Sequence, residues 1–498
     1  MKVVYLKNYR KGFATNSSST HSVIYRNKGE VFNDLNIFEL DFYDRYTQTI
    51  AASKEAKIKY VAANIRYNDK LYEIMSKYYP QMEEYKKLIK EDKENIYTYD
   101  ESFGMYSRGE LSFSNSDVIE ASIDYLCDLI EDEDKIIIGG SDELDFVYDT
   151  IEGHKELPTP GEVYGSRGFK NGVVIKNGNY WVGYGLDGKI RFTTKNEECI
   201  PSYPELVDLR ITNKCQWNCD FCFMNSSMKE KEADFKNLEN IIKMLSSDER
   251  YGWYRKRIEF SVGGGNILLY PHLEELFFLM HENGHIINTT INAKDCKQLI
   301  NDEKLFETFK RYVTAIGISV TSDEDIENAG KLYKAFADNK IYGKQLTVHL
   351  IPELLGVDRT REIIEKLKKC NLYSILFLGY KTNGRGINHT CPKFTDEELT
   401  KLFNGLCCLS IDTTFAKTYE KWLKGHFDTK YTMTALEGEY SMYIDAVECN
   451  AYKSSYELDK PYPLIRKGNI TDCYTPINAF RQIRKDNNLK VIKDENNL

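Results

Sequence analysis

An α/β chain built round a partial (β/α)6 barrel is what this sequence predicts, on two observations. Apolar, β-branched runs alternate with longer helical-period segments across residues 203–406, and a cysteine cluster and a glycine run stand at the ends of the first two of those runs. The runs place strands near Glu205–Thr212, Arg257–Gly263, Ile286–Asn292, Thr314–Thr321, Gln345–Pro352 and Leu372–Tyr380. Helical patterns follow each of them, at Ala233–Leu245, His272–Glu282, Ala293–Arg311, Asp325–Ala337, Arg359–Cys370 and Thr395–Leu406. Repeated βα units imply parallel strands with right-handed crossovers, and sites in such folds gather at the carboxyl ends of the strands.

Ahead of the barrel, residues 1–155 read as a mostly helical N-terminal region and 156–202 as a small β-meander. The chain starts with a hydroxyl-rich stretch, Gly12–Ser22, whose composition suits a turn or a solvated strand edge. Residues 35–135 are polar and largely helical in pattern, with charge runs such as Lys86–Lys93 that fit solvated helix faces. Ser116–Ile130 has helical spacing and leads into Lys135–Gly140, a short buried strand and its turn. Gly172–Phe192 alternates round Lys176-Asn177-Gly178 and Leu186-Asp187-Gly188, the pattern of antiparallel hairpins. The last part, 407–498, is an α+β C-terminal extension.

Cys215, Cys219 and Cys222 have the spacing C-x3-C-x2-C and would lie in the loop after the first barrel strand. Three thiolates can hold three corners of a four-iron cube and leave the fourth iron open. A structural zinc with a distant fourth ligand is the alternative, although zinc sites usually pair two C-x2-C halves and no second half lies close by. The spacing, with the aromatic Phe221 just before the last cysteine, resembles the signature of the radical SAM superfamily. That resemblance implies a TIM-like radical SAM core and a [4Fe-4S] cluster held by Cys215, Cys219 and Cys222. It implies that the open iron is chelated by S-adenosylmethionine, which is cleaved to a 5′-deoxyadenosyl radical that takes hydrogen from a substrate.

Ser261–Pro271, with Gly263-Gly264-Gly265-Asn266 at a strand end, is similar to the superfamily's Gly-Gly-Glu motif, which receives the methionyl ammonium group. Asn266 stands where the family usually has glutamate, so a neutral acceptor replaces a charged one. By the same resemblance Phe221, Gly264, Gly265, Asn266, Asn292 and Ser319 are expected cofactor contacts. Leu378–Gly386 is similar to the glycine-containing end of the sixth strand.

Gly438–Asp445 and Gly468–Asp472 are similar to the C-terminal (SPASM or twitch) extensions of peptide- and protein-modifying members, which carry auxiliary clusters. Here Lys453 falls near the place of a usual cysteine, while Cys407, Cys408, Cys449 and Cys473 remain. Four thiolates could hold an auxiliary cluster, but buried inert cysteines are the commoner fate. Cys449 could instead donate a hydrogen atom. The start Thr15–Ser22 is similar to starts found on otherwise dissimilar bacterial and phage proteins, which would suit a recognition tag or a modified site.

A net charge of −9 argues against a broadly basic nucleic-acid surface, and no apolar run approaches the length of a membrane span. With 12 cysteines and no leading apolar segment, the sequence suits a reducing, cytoplasmic setting. Three readings stay open. One is a radical SAM enzyme acting on a peptide or protein, with flavodoxin or ferredoxin as reductant. Another acts on a nucleotide or small molecule, and the last is an iron–sulfur binding protein without catalysis.

Overall fold

The computed structural model describes residues 173–185, 188–193, 197–246, 256–338, 345–404, 410–428, 437–464 and 473–492. It also describes 69–83, the short strands before residue 140, and a few positions between 54 and 131. The hydroxyl-rich start, the Lys86–Lys93 charge run, Cys407, Cys408 and the Gly468–Asp472 motif lie outside the described residues. The chain divides into two compact units, 1–9, 29–157 and 166–199 in one, and 10–28, 158–165 and 200–498 in the other.

Strands before the barrel are β1 (Lys2–Lys11), β2 (Val23–Ile24), β3 (Arg26–Asn27), β4 (Phe38–Phe42), β5 (Tyr46–Ala51), β6 (Lys135–Gly139), β7 (Val173–Asn177), β8 (Tyr180–Gly185) and β9 (Gly188–Thr193). Seven of them form the sheet of the first unit, in the order β4-β5-β6-β1-β9-β8-β7. The expected hairpins are present: Asn177 pairs with Tyr180 round Gly178, whose φ of 71° suits a tight turn that only glycine enters freely. Within residues 1–155, expected to be mostly helical, β6 is the strand expected at Lys135–Gly140, and β1, β4 and β5 join it in this sheet beside the helix Asp69–Tyr78. The meander expected at 156–202 shares that sheet.

The second unit is the partial barrel. Its strands are β10 (Leu206–Thr212), β11 (Glu259–Gly264), β12 (Ile286–Asn292), β13 (Ala315–Ser319), β14 (Gln345–Leu350), β15 (Ile375–Phe377), β16 (Ser410–Ile411), β17 (Phe427–Asp428), β18 (Ser441–Asp445), β19 (Asn450–Tyr452) and β20 (Tyr462–Pro463). The sheet runs β2-β16-β15-β14-β13-β12-β11-β10-β18-β19-β20, open at both ends. From β16 to β18 every neighbouring pair is parallel. The predicted six strands are all there, and β16 and β18 extend the parallel run at either side. The C-terminal segment therefore continues the barrel sheet, because β18 pairs with β10 along its whole length.

Alternation along the strands sorts the two faces. Val207, Leu209, Ile211, Phe260, Val262, Ile316, Ile318, Val348, Met442 and Ile444 join one apolar core. The helices supply its other half, for example through Leu238, Ile241, Ile242 and Leu245 of Phe235–Ser246. The intervening positions are buried and polar: Asp208, Glu259, Ser261, Asn288, Thr347, His349, Ser441, Tyr443 and Asp445. A barrel with such an inner face is suited to hold a polar ligand rather than a closed hydrocarbon core.

One predicted helix is broken. Ala293–Arg311 divides into a 3-10 turn at Ala293–Asp295 and helices Cys296–Asn301 and Glu303–Tyr312. Asp302, extended at φ −92° and ψ 101°, accepts from Leu305 N and caps the second helix, a choice open to aspartate but invisible to apolar periodicity.

Candidate cofactor site

The loop carrying Cys215, Cys219 and Cys222 starts where β10 ends, and backbone hydrogen bonds fix both of its flanks. On one side Asn213 N donates to Lys231 O at 2.8 Å and Cys215 N to Ser227 O at 3.3 Å. Ser226 Oγ donates to Asn213 Oδ1 at 2.7 Å, and Lys214 pairs with Glu232 at 2.9 Å. Within the loop Asn218 and Asn225 adopt φ values of 46° and 55°, a left-handed conformation that asparagine tolerates better than most residues.

The glycine run at the end of β11 closes the other flank. Gly265 N donates to Thr212 O at 2.8 Å and Asn266 N to Lys214 O at 2.7 Å. A Cβ on Gly264 would lie 2.1 Å from Thr212 O, and one on Gly265 would lie 2.2 Å from Lys214 O. Glycine is therefore required at both positions for the second strand to reach the cysteine loop.

Asn266 is buried and its side chain is fully engaged. Its Oδ1 accepts from Leu268 N at 3.0 Å, capping a 3-10 turn, while its Nδ2 donates to Gln216 Oε1 at 3.1 Å and Asp295 Oδ1 at 3.0 Å. Asp295 also accepts from Gln216 Nε2 at 3.2 Å and Trp217 Nε1 at 2.9 Å. Burial pushes the Asp295 carboxyl up, against the hydrogen bonds from Trp217, Asn266 and Gln216.

A third element reaches the loop from beyond β15. Arg385 donates from its backbone N to Cys222 O at 2.9 Å and from Nε to Cys219 O at 2.8 Å. Its Nη1 and Nη2 reach Asn225 Oδ1 at 3.2 Å and Ser226 O at 3.0 Å. Gly384, at φ 54°, passes so close that a Cβ would lie 2.5 Å from Phe223 O. Lys381 is buried on the same stretch, with Nζ 4.8 Å from the Phe223 ring centroid, 5.4 Å from that of Tyr456 and 3.7 Å from Asp412 Oδ2. Burial lowers the Lys381 ammonium while Asp412 opposes the shift.

Of the residues expected from sequence, the structure brings together Cys215, Cys219, Cys222, Phe221, Gly264, Gly265 and Asn266 round one loop. Asn292 and Ser319 end β12 and β13 and are register partners two and three strands along from β10. Asn292 Oδ1 accepts from Lys294 N at 3.0 Å, so its side chain serves as a cap. Cys449 is buried in the turn between β18 and β19 at φ 55°, with Sγ 3.5 Å from Ala446 O, whereas Cys473 is exposed. Asp295, Arg385 and Lys381 were not singled out by sequence reasoning. Arg385 and Lys381 lay within the glycine-containing Leu378–Gly386 stretch, and that was their only signal.

The donor types, three thiols on one loop, suit an iron–sulfur cluster, while among the described residues no three histidine, cysteine, aspartate or glutamate side chains are gathered closely enough to hold a metal ion as they stand. Cys215, Cys219 and Cys222 are free, half-buried thiols on one short loop. Burial, then the neighbouring Cys222 and Cys215, pushes the Cys219 thiol up, and burial does the same for Cys215.

The Radical SAM superfamily model matches residues 209–390, from within β10 to just past Arg385. Over those residues, little more than a third of the chain, the sequence is similar to the radical SAM superfamily. An uncharacterized protein of Methanocaldococcus jannaschii is 30% identical over 113 residues, which cover 22% of this chain and 37% of that relative. Among solved structures, Streptococcus suis SuiB bound to S-adenosylmethionine is 13% identical with a TM-score of 0.37, covering 52% of this chain and 63% of SuiB. Native anSMEcpe with bound AdoMet is also 13% identical, with a TM-score of 0.34, covering 52% of this chain and 77% of that one.

Proposed function

We propose that this chain is a radical SAM enzyme whose Cys215, Cys219 and Cys222 hold a [4Fe-4S] cluster, and whose substrate is a peptide or protein. The observation that carries the reading is the C-x3-C-x2-C loop at the carboxyl end of β10, clamped by the β11 glycines and by Arg385, inside the stretch that matches the family. When bound, the cluster supplies the electron that splits S-adenosylmethionine into methionine and a 5′-deoxyadenosyl radical.

The chain's own residues supply position and enclosure. The three thiolates would hold the cluster, and Gly264 and Gly265 let the end of β11 pack against the start of the cysteine loop. Phe221, Asn266, Asn292 and Ser319 are the proposed contacts of the cofactor, spread along the carboxyl ends of neighbouring strands. Lys381 and Asp412, with the half-buried Tyr456, form a polar group beside Phe223 that this reading assigns to the substrate. The peptide reading is supported by the similarity of Gly438–Asp445 to peptide-modifying extensions, and β18 carries that segment onto the barrel beside β10.

The test is anaerobic reconstitution with iron and sulfide, reduction, addition of S-adenosylmethionine and measurement of 5′-deoxyadenosine in wild type and Cys219→Ala. Formation that is lost in the variant supports the enzyme, and a loaded wild type that never forms it sinks the reading. Stimulation by an added peptide supports the finer assignment, whereas stimulation by a nucleotide alone would replace it.

A further inference from the structure

Asp295 is a carboxylate with neutral partners only. It is 2% exposed, and its Oδ1 accepts from Asn266 and Gln216 amides while Oδ2 accepts from the Trp217 indole. Among the described residues no lysine, arginine or histidine forms an ion pair with it; neighbouring Lys294 instead lies over the Trp217 ring at 5.4 Å. A buried charge that lacks an opposite charge is costly, and proteins usually compensate it with a cation.

Its place beside the cysteine loop bears on which cation that is. Gln216 and Trp217 lie between Cys215 and Cys219, so the carboxylate is held directly behind the cysteine loop, and Asn266 ties it to the glycine turn of β11. Gln216 is exposed and Trp217 half-buried, so two of the three donors on the carboxylate stand on the outer side of the loop, while Asn266 is buried and its Oδ1 accepts from Leu268 N.

We propose that Asp295 is the counter-charge for the ammonium group of the bound S-adenosylmethionine, in a site where position 266 offers only an amide. The assignment rests on the function proposed above. Asn266 then acts as a positioning residue that presents the Asp295 carboxylate, and the charge-assisted bond is made one βα unit further along the chain than the glycine turn would suggest.

The experiment compares wild type, Asp295→Asn and the exchange variant Asn266→Asp/Asp295→Asn, each reconstituted anaerobically. Iron per chain and urea unfolding are recorded, and dissociation constants are measured by equilibrium dialysis for S-adenosylmethionine and for 5′-methylthioadenosine, which lacks the ammonium group. Asp295→Asn is expected to weaken S-adenosylmethionine by about 10- to 100-fold and to leave methylthioadenosine within about twofold, the range for one hydrogen bond to a charged group. The exchange variant keeps one amide and one carboxylate in contact and is expected to recover most of the loss. Unchanged S-adenosylmethionine binding in Asp295→Asn, equal weakening of both ligands, or no recovery in the exchange variant overturns the proposal. If Asp295→Asn fails to hold iron, the exchange variant alone decides, by whether it keeps the wild-type preference for S-adenosylmethionine over methylthioadenosine. A cluster-loaded wild type that binds neither ligand overturns the function proposed above, and this assignment with it.

Discussion

Replacing Arg385 by alanine removes the clamp between the sixth barrel strand and the cysteine loop. The side chain donates to Cys219 O at 2.8 Å, Ser226 O at 3.0 Å and Asn225 Oδ1 at 3.2 Å, the last in an exposed setting. Bonds from a charged donor contribute about 1.5–3 kcal/mol each when buried, and water can replace part of this at a half-exposed loop. Counting the two part-buried carbonyls and discounting the exposed amide gives a loss of about 2–4 kcal/mol. Arg385→Lys should fall between, because an ammonium is a point charge that cannot reproduce the guanidinium fork. Anaerobic urea unfolding measures the stability, and the rate of iron release to a chelator measures the loop. An Arg385→Ala protein within about 0.5 kcal/mol of wild type, releasing iron no faster, would show that Arg385 does not clamp the loop.

Gly265→Ala places a Cβ 2.2 Å from Lys214 O and should separate β11 from the loop, costing about 2–5 kcal/mol by urea unfolding and lowering the iron retained after reconstitution. Arg210→Ala strands Asp445, to which Arg210 Nη1 donates at 2.8 Å between β10 and β18, and should cost about 3–5 kcal/mol, with Arg210→Ala/Asp445→Asn partly restored. Burial, then the nearby Asp412 charge, pushes the Glu353 carboxyl up to about 7 from 4.5. Because the folded chain holds this proton more tightly than the unfolded one, its contribution to stability is complete below about pH 4.5 and is lost as pH rises through about 7. Glu353→Gln should flatten the wild-type decline across that window by up to about 3 kcal/mol, read from unfolding curves at several pH values.

The barrel was legible because its strands are β-branched runs with the period and spacing of βα units, and the cysteine spacing marked the loop directly. What escaped were features set by pairing at a distance. β18 reads as an apolar strand in any fold, and only its register with β10 shows that it continues the barrel. Likewise β1, β4 and β5 sit in a region of polar, helix-like composition, and although Lys135–Gly140 was legible as the strand β6, the sheet order that unites these four with β7–β9 joins residues more than a hundred positions apart. In the site, Asn266 was visible as a departure from a motif, but Asp295 was hidden in a segment read as helix. Its importance comes from contacts to residues 29 and 78 positions away.

The proposed cluster, held by three cysteines of one loop, leaves one iron open to S-adenosylmethionine. Electron paramagnetic resonance of the reduced, reconstituted protein, recorded with and without S-adenosylmethionine, tests it directly. The expected result is a reduced four-iron signal that changes on addition of S-adenosylmethionine and is absent from Cys219→Ala. A signal indifferent to S-adenosylmethionine, or a protein that takes up zinc and gives no signal at all, would contradict it.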